Sequence, residues 1–291
     1  MSAAVLIGDC LEVLRGLPDS MAQACVTSPP YYGLRDYGHA GQIGLEETPD
    51  AYVARLVDVF REVLRVLRDD GTCWLNLGDS YARAGGEGGC GPNAQVGNTQ
   101  SGEQRRGLVP PSGYKPKDLL GIPWMVAFAL RADGWWLRQD IIWHKPNPMP
   151  ESVKDRCTKS HEYIFLLSKS QKYLFDSQAM EEVANDGGKK NRRSVWTIPT
   201  RPYKGAHFAV FPTALIEPCI LAGSRPGDIV LDPFMGSGTT AAVALQHGRQ
   251  YLGCELNPEY GQLQQERINK AMPAISDDPQ LSLVLEQSDA P

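Results

Sequence analysis

Val230-Leu231-Asp232-Pro233-Phe234-Met235-Gly236-Ser237-Gly238-Thr239-Thr240 reads as a buried strand end, a turn of small residues and the start of a helix. Glycines in such a turn let a ligand approach the backbone, and an open α/β sheet binds ligands where its strands end. Glu255 closes the next strand, Tyr251–Cys254, at the spacing of an acid that receives ribose hydroxyls. No lysine follows the last glycine, so the turn is not a P-loop, and it lacks the GxGxxG pattern of dinucleotide sites. The ligand it suits carries an adenosine group and needs no triphosphate clamp. A plain strand–helix turn would explain Gly236 and Gly238 but not the paired acid.

A second stretch lies at the other end of the chain: Val26-Thr27-Ser28-Pro29-Pro30-Tyr31-Tyr32. It reads as a strand running into a rigid turn. Two consecutive prolines fix two φ angles and remove two N–H donors, leaving carbonyls to accept from outside. A small hydroxyl and two tyrosines frame those carbonyls, which suits a flat ring bearing an amino group. By local composition alone the same residues could be an ordinary turn after a strand.

Around these two stretches, apolar runs at 4–8, 24–28, 72–77, 135–143, 163–167, 229–231 and 251–254 read as strands. Segments 10–16, 50–68, 118–132, 213–222, 239–247 and 258–271 read as helices, and Tyr173–Phe175 offers a further short strand. Tryptophans 135, 136 and 143 are assigned to the core. This alternation predicts an α/β fold with a doubly wound, mostly parallel sheet. With the C-terminal strand pair placed ahead of the two N-terminal strands, four strand ends meet in one cleft. Asp232 and Glu255 then hold the cofactor's amino-acid and ribose parts, Asp9 reaches its adenine, and Ser28–Tyr31 face the substrate. The chain is then circularly permuted.

Composition bounds the rest. The 291 residues are 42% hydrophobic and 22% charged, ordinary for a globular protein. Neither an apolar run of membrane length nor a leader-like N-terminus is present, so a cytoplasmic protein without membrane contact is expected. Seven scattered cysteines form no CxxC pair and are expected reduced; the five histidines show no metal spacing, and no metal is expected. His161 is expected to hydrogen-bond structurally. The net charge of −5 conceals an uneven distribution: residues 145–205 hold twelve basic against seven acidic side chains. That basic middle, with Lys145, Lys189, Lys190, Arg192 and Arg193, suits phosphate contacts with a polyanion.

Taken together, Gly8-Asp9, Thr27-Ser28-Pro29-Pro30-Tyr31, Trp143-His144-Lys145-Pro146-Asn147-Pro148, His161-Glu162-Tyr163, Val195-Trp196, Phe211-Pro212, Leu231–Thr240 and Glu255 resemble the beta group of S-adenosylmethionine-dependent DNA amino-methyltransferases. The resemblance spans roughly residues 5–270. It implies a Rossmann-like class I methyltransferase fold, a seven-stranded sheet with one antiparallel strand, and double-stranded DNA as substrate. Ser28, Pro29, Pro30 and Tyr31 would be the catalytic turn: Ser28 and the Pro29 carbonyl accept from the target amino group while Tyr31 stacks on the base. S-adenosylmethionine would contact Asp9, Cys10, Thr27, Phe211, Asp232, Pro233, Phe234, Gly236, Ser237, Gly238, Thr239, Thr240, Glu255, Leu256 and Asn257.

An exocyclic amino nitrogen is a poor nucleophile because its lone pair is delocalised into the ring, so positioning and preset polarity carry the reaction. No cysteine stands in the proline turn, as a ring-carbon methylase would need. A base inside a duplex must be flipped out to reach the cleft. Family members with Ser first in the turn mostly modify cytosine N4, and those with Asp mostly adenine N6, so Ser28 favours cytosine.

Residues 1–83 would form the catalytic half and 84–117 a flexible loop. Residues 118–176 would complete the sheet, 177–205 form a DNA-recognition insert, 206–272 the cofactor half and 273–291 a tail. A cognate restriction endonuclease would be a partner without direct contact, and the protein a monomer or dimer. The rivals are methylation of a non-DNA amide or amine, an inactive DNA-binding homologue and, more remotely, a nicotinamide dehydrogenase.

Overall fold

The computed structural model describes residues 4–39, 41–82, 113–184, 187–200 and 211–271. Most of the expected 84–117 loop, with Cys90, and the 273–291 tail lie outside these residues, as does His207. Within the described residues, ten strands and six helices follow one another: β1 Ala4–Ile7, α1 Cys10–Arg15, β2 Ala22–Thr27, α2 Pro49–Val66, β3 Leu67–Leu77, α3 Ile122–Ala132, β4 Trp136–His144, β5 His161–Ser168, β6 Glu181–Val183, β7 Lys189–Asn191, β8 Val195–Thr197, α4 Thr213–Gly223, β9 Ile229–Asp232, α5 Thr239–Gln246, β10 Gln250–Glu255 and α6 Tyr260–Ala271.

Local chemistry sets several of these boundaries. The Thr48 hydroxyl accepts from Ala51 N at 3.1 Å and Pro49 opens α2, both favourable at a helix start. One face of α2 buries Tyr52, Leu56, Val59, Phe60 and Val63 completely. The backbone becomes extended at Leu67, so helix runs straight into strand and β3 starts five residues before its expected position. Tyr173–Phe175 form no strand; Phe175 instead stacks on Trp74 with ring centroids 6.3 Å apart.

Eight strands form one sheet in the order β1-β10-β9-β2-β3-β5-β4-β8. Every pairing is parallel except the two made by β5, which runs against both β3 and β4. The sheet thus carries the expected single antiparallel strand plus an eighth strand, β8, contributed by the segment assigned to DNA recognition. The C-terminal strands β9 and β10 sit between β1 and β2, rather than ahead of both. Even so, β1, β10, β9 and β2 are four consecutive strands ending at one edge of the sheet.

Side-chain alternation splits the core into two layers. Cys25, Cys73, Leu75 and Phe165 face α1, α2 and α3; Val26, Trp74, Ile164 and Val230 face α4, α5 and α6. Helices cover both faces, which explains why β2 is buried at all six positions. Trp135 and Trp143 are core residues as expected. Trp136 is not: at 45% exposure it points outward at the start of β4. The six described cysteines are unpaired, and five of them are buried. Among the described residues no helix is long and apolar enough to cross a membrane.

Candidate active site

Both turns quoted above sit at the same end of the sheet. Gly236 and Gly238 adopt φ of 52° and 80°, which residues other than glycine resist, and so turn the chain from β9 into α5. Glu255 ends β10 and braces this turn: its carboxylate accepts from Gly236 N and from Asn257 N, each at 2.8 Å. Gly8 N donates to the Glu255 carbonyl at 2.8 Å, which brings the end of β1 alongside. Burial pushes the Glu255 carboxyl up to about 7.

Asp232, expected to hold the amino-acid part of the cofactor, ends β9 in a buried position. It is 1% exposed, and its two oxygens accept from Thr27 Oγ1 at 2.5 Å, Thr240 Oγ1 at 2.6 Å and Phe234 N at 3.0 Å. Burial raises its carboxyl to about 6 against the opposing effect of those three donors. Asp232 and Thr27 therefore face each other and lock the two turns together. Thr240 Oγ1 also lies 3.4 Å from the Val26 carbonyl. Ser237 and Thr239 are buried and both receive Arg267 of α6, while Gln264 Nε2 holds the Gly236 carbonyl at 2.6 Å.

Asp9 is likewise engaged. Oδ1 caps α1 through Leu11 N and Glu12 N, and Oδ2 pairs with Arg55 at 3.1 Å. Cys10 is buried behind it, its thiol pushed up to about 12 by burial. Pro233 is buried and Phe234 and Leu256 are half-buried; Asn257, buried, accepts from Glu259 N. Phe211 packs, half-buried, against the core layer that contains Ile216, Met235 and Trp196.

The donor set fits an adenosylated methyl donor. Glu255 is a carboxylate at a strand end, and its oxygens have lone pairs beyond the two backbone donors they receive, as hydroxyl recognition needs. The glycine turn beside it bears no side chain at Gly236 or Gly238.

In the proline turn, Ser28 is half-buried and Pro29 buried. Of the two proline carbonyls expected to stay free, Pro30's accepts from Tyr52 Oη at 2.8 Å. That leaves the Pro29 carbonyl as the acceptor beside Ser28. Tyr32 does not frame the site but is 5% exposed, packed on Tyr52 with centroids 5.6 Å apart. Tyr31 does frame it. Its hydroxyl meets Ser28 Oγ at 3.4 Å, Asn76 Oδ1 at 3.2 Å and Glu162 Oε2 at 2.7 Å. Its ring crosses Gly78, where an added Cβ would stand 2.6 Å from Tyr31 Cε2.

Asn76, Gly78 and Glu162 were missed as functional residues. Glu162 stands in one of the motifs quoted above, but only the pairing of β3 with β5 brings it to Tyr31.

The basic residues divide. Lys145, expected at DNA phosphates, is 18% exposed; its ammonium pairs with Glu162 and lies 4.2 Å from the Trp143 ring centroid. Lys189 and Lys190 project from the small β6–β7 sheet, facing Glu181 and Glu182 at 3.1 and 3.4 Å. Arg192 lies over the Trp196 ring at 4.4 Å, and Arg193 is exposed. His161, expected to hydrogen-bond, instead stacks edge-on against Tyr163 with centroids 5.4 Å apart among the described residues.

A permuted, doubly wound sheet with a proline turn beside a glycine turn defines a class I amino-methyltransferase. The DNA methylase family profile for N6 and N4 modification matches residues 22–266, and the chain belongs to that family of S-adenosylmethionine-dependent enzymes. The type II methyltransferase M.SmaI of Serratia marcescens is 54% identical over 269 residues, 92% of this chain and 91% of its own. M.Cfr9I of Citrobacter freundii, another type II methyltransferase, is 53% identical over 268 residues, 91% of this chain and 87% of its own. Among solved structures, a Thermus thermophilus protein provisionally assigned as a DNA modification methylase superposes with a TM-score of 0.66. It is 28% identical, covers 94% of this chain and 96% of its own, and was solved with S-adenosyl-L-methionine. The family it joins is that of the DNA methylases that modify an exocyclic amino group, cytosine N4 or adenine N6.

Proposed function

We propose that the protein methylates N4 of a cytosine flipped out of double-stranded DNA. The observation that carries this choice is Ser28, a neutral hydroxyl at the head of a proline turn with the Pro29 carbonyl next to it. These two acceptors receive hydrogen bonds from the target amino group and favour a pyramidal nitrogen, while the Tyr31 ring supports the base. When bound, S-adenosylmethionine supplies an electrophilic methyl group. Glu255 and the Gly236–Gly238 turn would hold it. The Thr27–Asp232 contact keeps the two halves of the cleft in register, so that the chain contributes chiefly orientation and a preset polar environment.

On the DNA side, Lys189, Lys190, Arg192 and Arg193 form a basic edge on the segment that carries β6, β7 and β8. The lysine–glutamate pairs there, one exposed and one half-buried, are individually weak and easily exchanged for phosphates. Lys145 is left out of this surface because Glu162 holds it. A DNA-acting enzyme of the cytoplasm, working beside a restriction endonuclease without touching it, completes the reading.

The second reading, adenine N6, rests on the same geometry, because both bases present the same amino chemistry. Incubation with labelled S-adenosylmethionine and unmethylated bacterial DNA, followed by nucleoside separation, decides between them. N4-methylcytosine is the expected product. N6-methyladenine would select the second reading, and an absence of label in DNA would sink both.

A further inference from the structure

The hydroxyl of Ser28 has one hydrogen and two lone pairs, and only its lone pairs can accept a hydrogen bond from the N–H groups of the target. Pointed at the target with its hydrogen, the same hydroxyl would set donor against donor. Which way it turns therefore matters, and its side-chain partner among the described residues is Tyr31.

Tyr31 Oη has one hydrogen as well. Within reach are Glu162 Oε2 at 2.7 Å and Asn76 Oδ1 at 3.2 Å, and both atoms only accept. The Asn76 amide cannot turn over, because its Nδ2 donates to Glu162 Oε2 at 3.2 Å and to the Tyr163 carbonyl at 3.0 Å. Lys145 donates to the other Glu162 oxygen and anchors the carboxylate in place. Burial first, and the Glu162 charge second, push the Tyr31 hydroxyl well above the usual phenol range, so it keeps its proton. Tyr31 is thus a donor towards Glu162. Its oxygen is left to accept, and Ser28 Oγ at 3.4 Å is positioned to donate to it.

We propose that Glu162 is a positioning residue for methyl transfer: acting through Tyr31, it draws the Ser28 hydrogen inward and turns the Ser28 lone pairs to the target amino group. The inference rests on the reading that Ser28 receives that amino group. It assigns a direction to a hydrogen-bond chain, Ser28 to Tyr31 to Glu162, held from behind by Asn76 and Lys145. It also gives the Tyr31 hydroxyl a role separate from the stacking of its ring.

Single-turnover methyl transfer with saturating cofactor and DNA, combined with binding of each, tests the chain. Ser28→Ala comes first: a parental rate would remove the underlying reading of Ser28 and leave the chain without a purpose. With that variant slowed, Tyr31→Phe in the parent should lower the rate at least tenfold while the Kd values for cofactor and DNA hold. In the Ser28→Ala background the same change should cost less than twofold, because no hydroxyl remains to be turned. Equal losses in both backgrounds, or no loss in the parent, would overturn the proposal.

Glu162→Gln should slow the parent as Tyr31→Phe does and add less than twofold once Tyr31 is Phe. An undiminished second loss would show that Glu162 acts by another route and would also overturn it. Should Glu162→Gln alone fail to fold, Glu162→Gln with Lys145→Met removes the charge pair together and is read in the same two backgrounds.

Discussion

Thr27 Oγ1 and Asp232 Oδ1 lie 2.5 Å apart inside the sheet, although 205 residues separate them in the chain. The contact joins the strand that ends in the proline turn to the strand that ends in the glycine turn. Because β2 and β9 are direct neighbours, the two functional halves are held by one buried hydroxyl–carboxylate bond as well as by the strand ladder. Thr27→Val keeps the shape but leaves a buried carboxylate short of a donor. A loss of about 1–3 kcal/mol in denaturant unfolding is expected, and unchanged stability would show that the bond contributes nothing net.

Asp232 also makes stability depend on pH. Its carboxyl stands near 6 in the folded protein against 3.8 for the unfolded chain, so the folded state binds the proton more tightly. The stabilisation is fully present below pH 3.8 and is lost as pH rises through about 6. The difference corresponds to about 3 kcal/mol. Asp232→Asn should therefore show a flatter profile than the parent between pH 4 and 7, measured by unfolding at fixed ionic strength. Parallel profiles would refute it.

Glu255 predicts a pH dependence of cofactor binding with the opposite sense. Its carboxyl lies near 7, so acidification protonates the group we propose to accept the ribose hydroxyls. Calorimetric Kd values for S-adenosylmethionine should rise as pH falls from 8 to 6, and Glu255→Gln should remove that slope. Glu255→Ala should weaken binding by about 10- to 100-fold, the worth of hydrogen bonds to a charged group.

Gly78 should tolerate no side chain. A methyl group there would overlap the Tyr31 ring at 2.6 Å, with both the ring and the β3 end held by their hydrogen bonds. Gly78→Ala is expected to slow methyl transfer by about tenfold or more through displacement of that ring. Cofactor affinity should stay at the parental level, since Gly78 lies on the substrate side of Thr27–Asp232. A variant with parental kcat would mean that the ring position is unimportant.

For the basic edge, Lys189→Ala and Arg193→Ala should each weaken DNA binding uniformly across sequences. Each should lower the slope of log affinity against log salt by about 1 if it neutralises a phosphate. Loss confined to one recognition sequence would instead indicate a base contact.

Much of this was legible in the chain. The strand and helix periods, the two turns and the acid after β10 are local signals, because each depends on residues within a few positions of one another. The permuted order followed from which motif came first. The misplacements have physical reasons too. Trp136 shares the strand spacing of the core tryptophans, yet it stands at the opening of β4, where it is 45% exposed among the described residues. Asp232 and Asp9 read as ligand acids because their type and position at strand ends match that role. Within the chain they also meet a threonine 205 residues away and an arginine 46 residues away, which no local pattern announces.

What the sequence determined by itself was a doubly wound α/β sheet, a cofactor of the adenosyl type and a rigid proline turn at a strand end. Hydrophobic period, proline and glycine stereochemistry, and the order of motifs suffice for that. Only the tertiary structure decided how the cleft is wired. Pairing of β2 with β9 turned Thr27 and Asp232 towards each other, and pairing of β3 with β5 brought Glu162 and Lys145 to Tyr31. Burial then set the protonation of Asp232, Glu255 and Tyr31, and burial exists only once the strands have met.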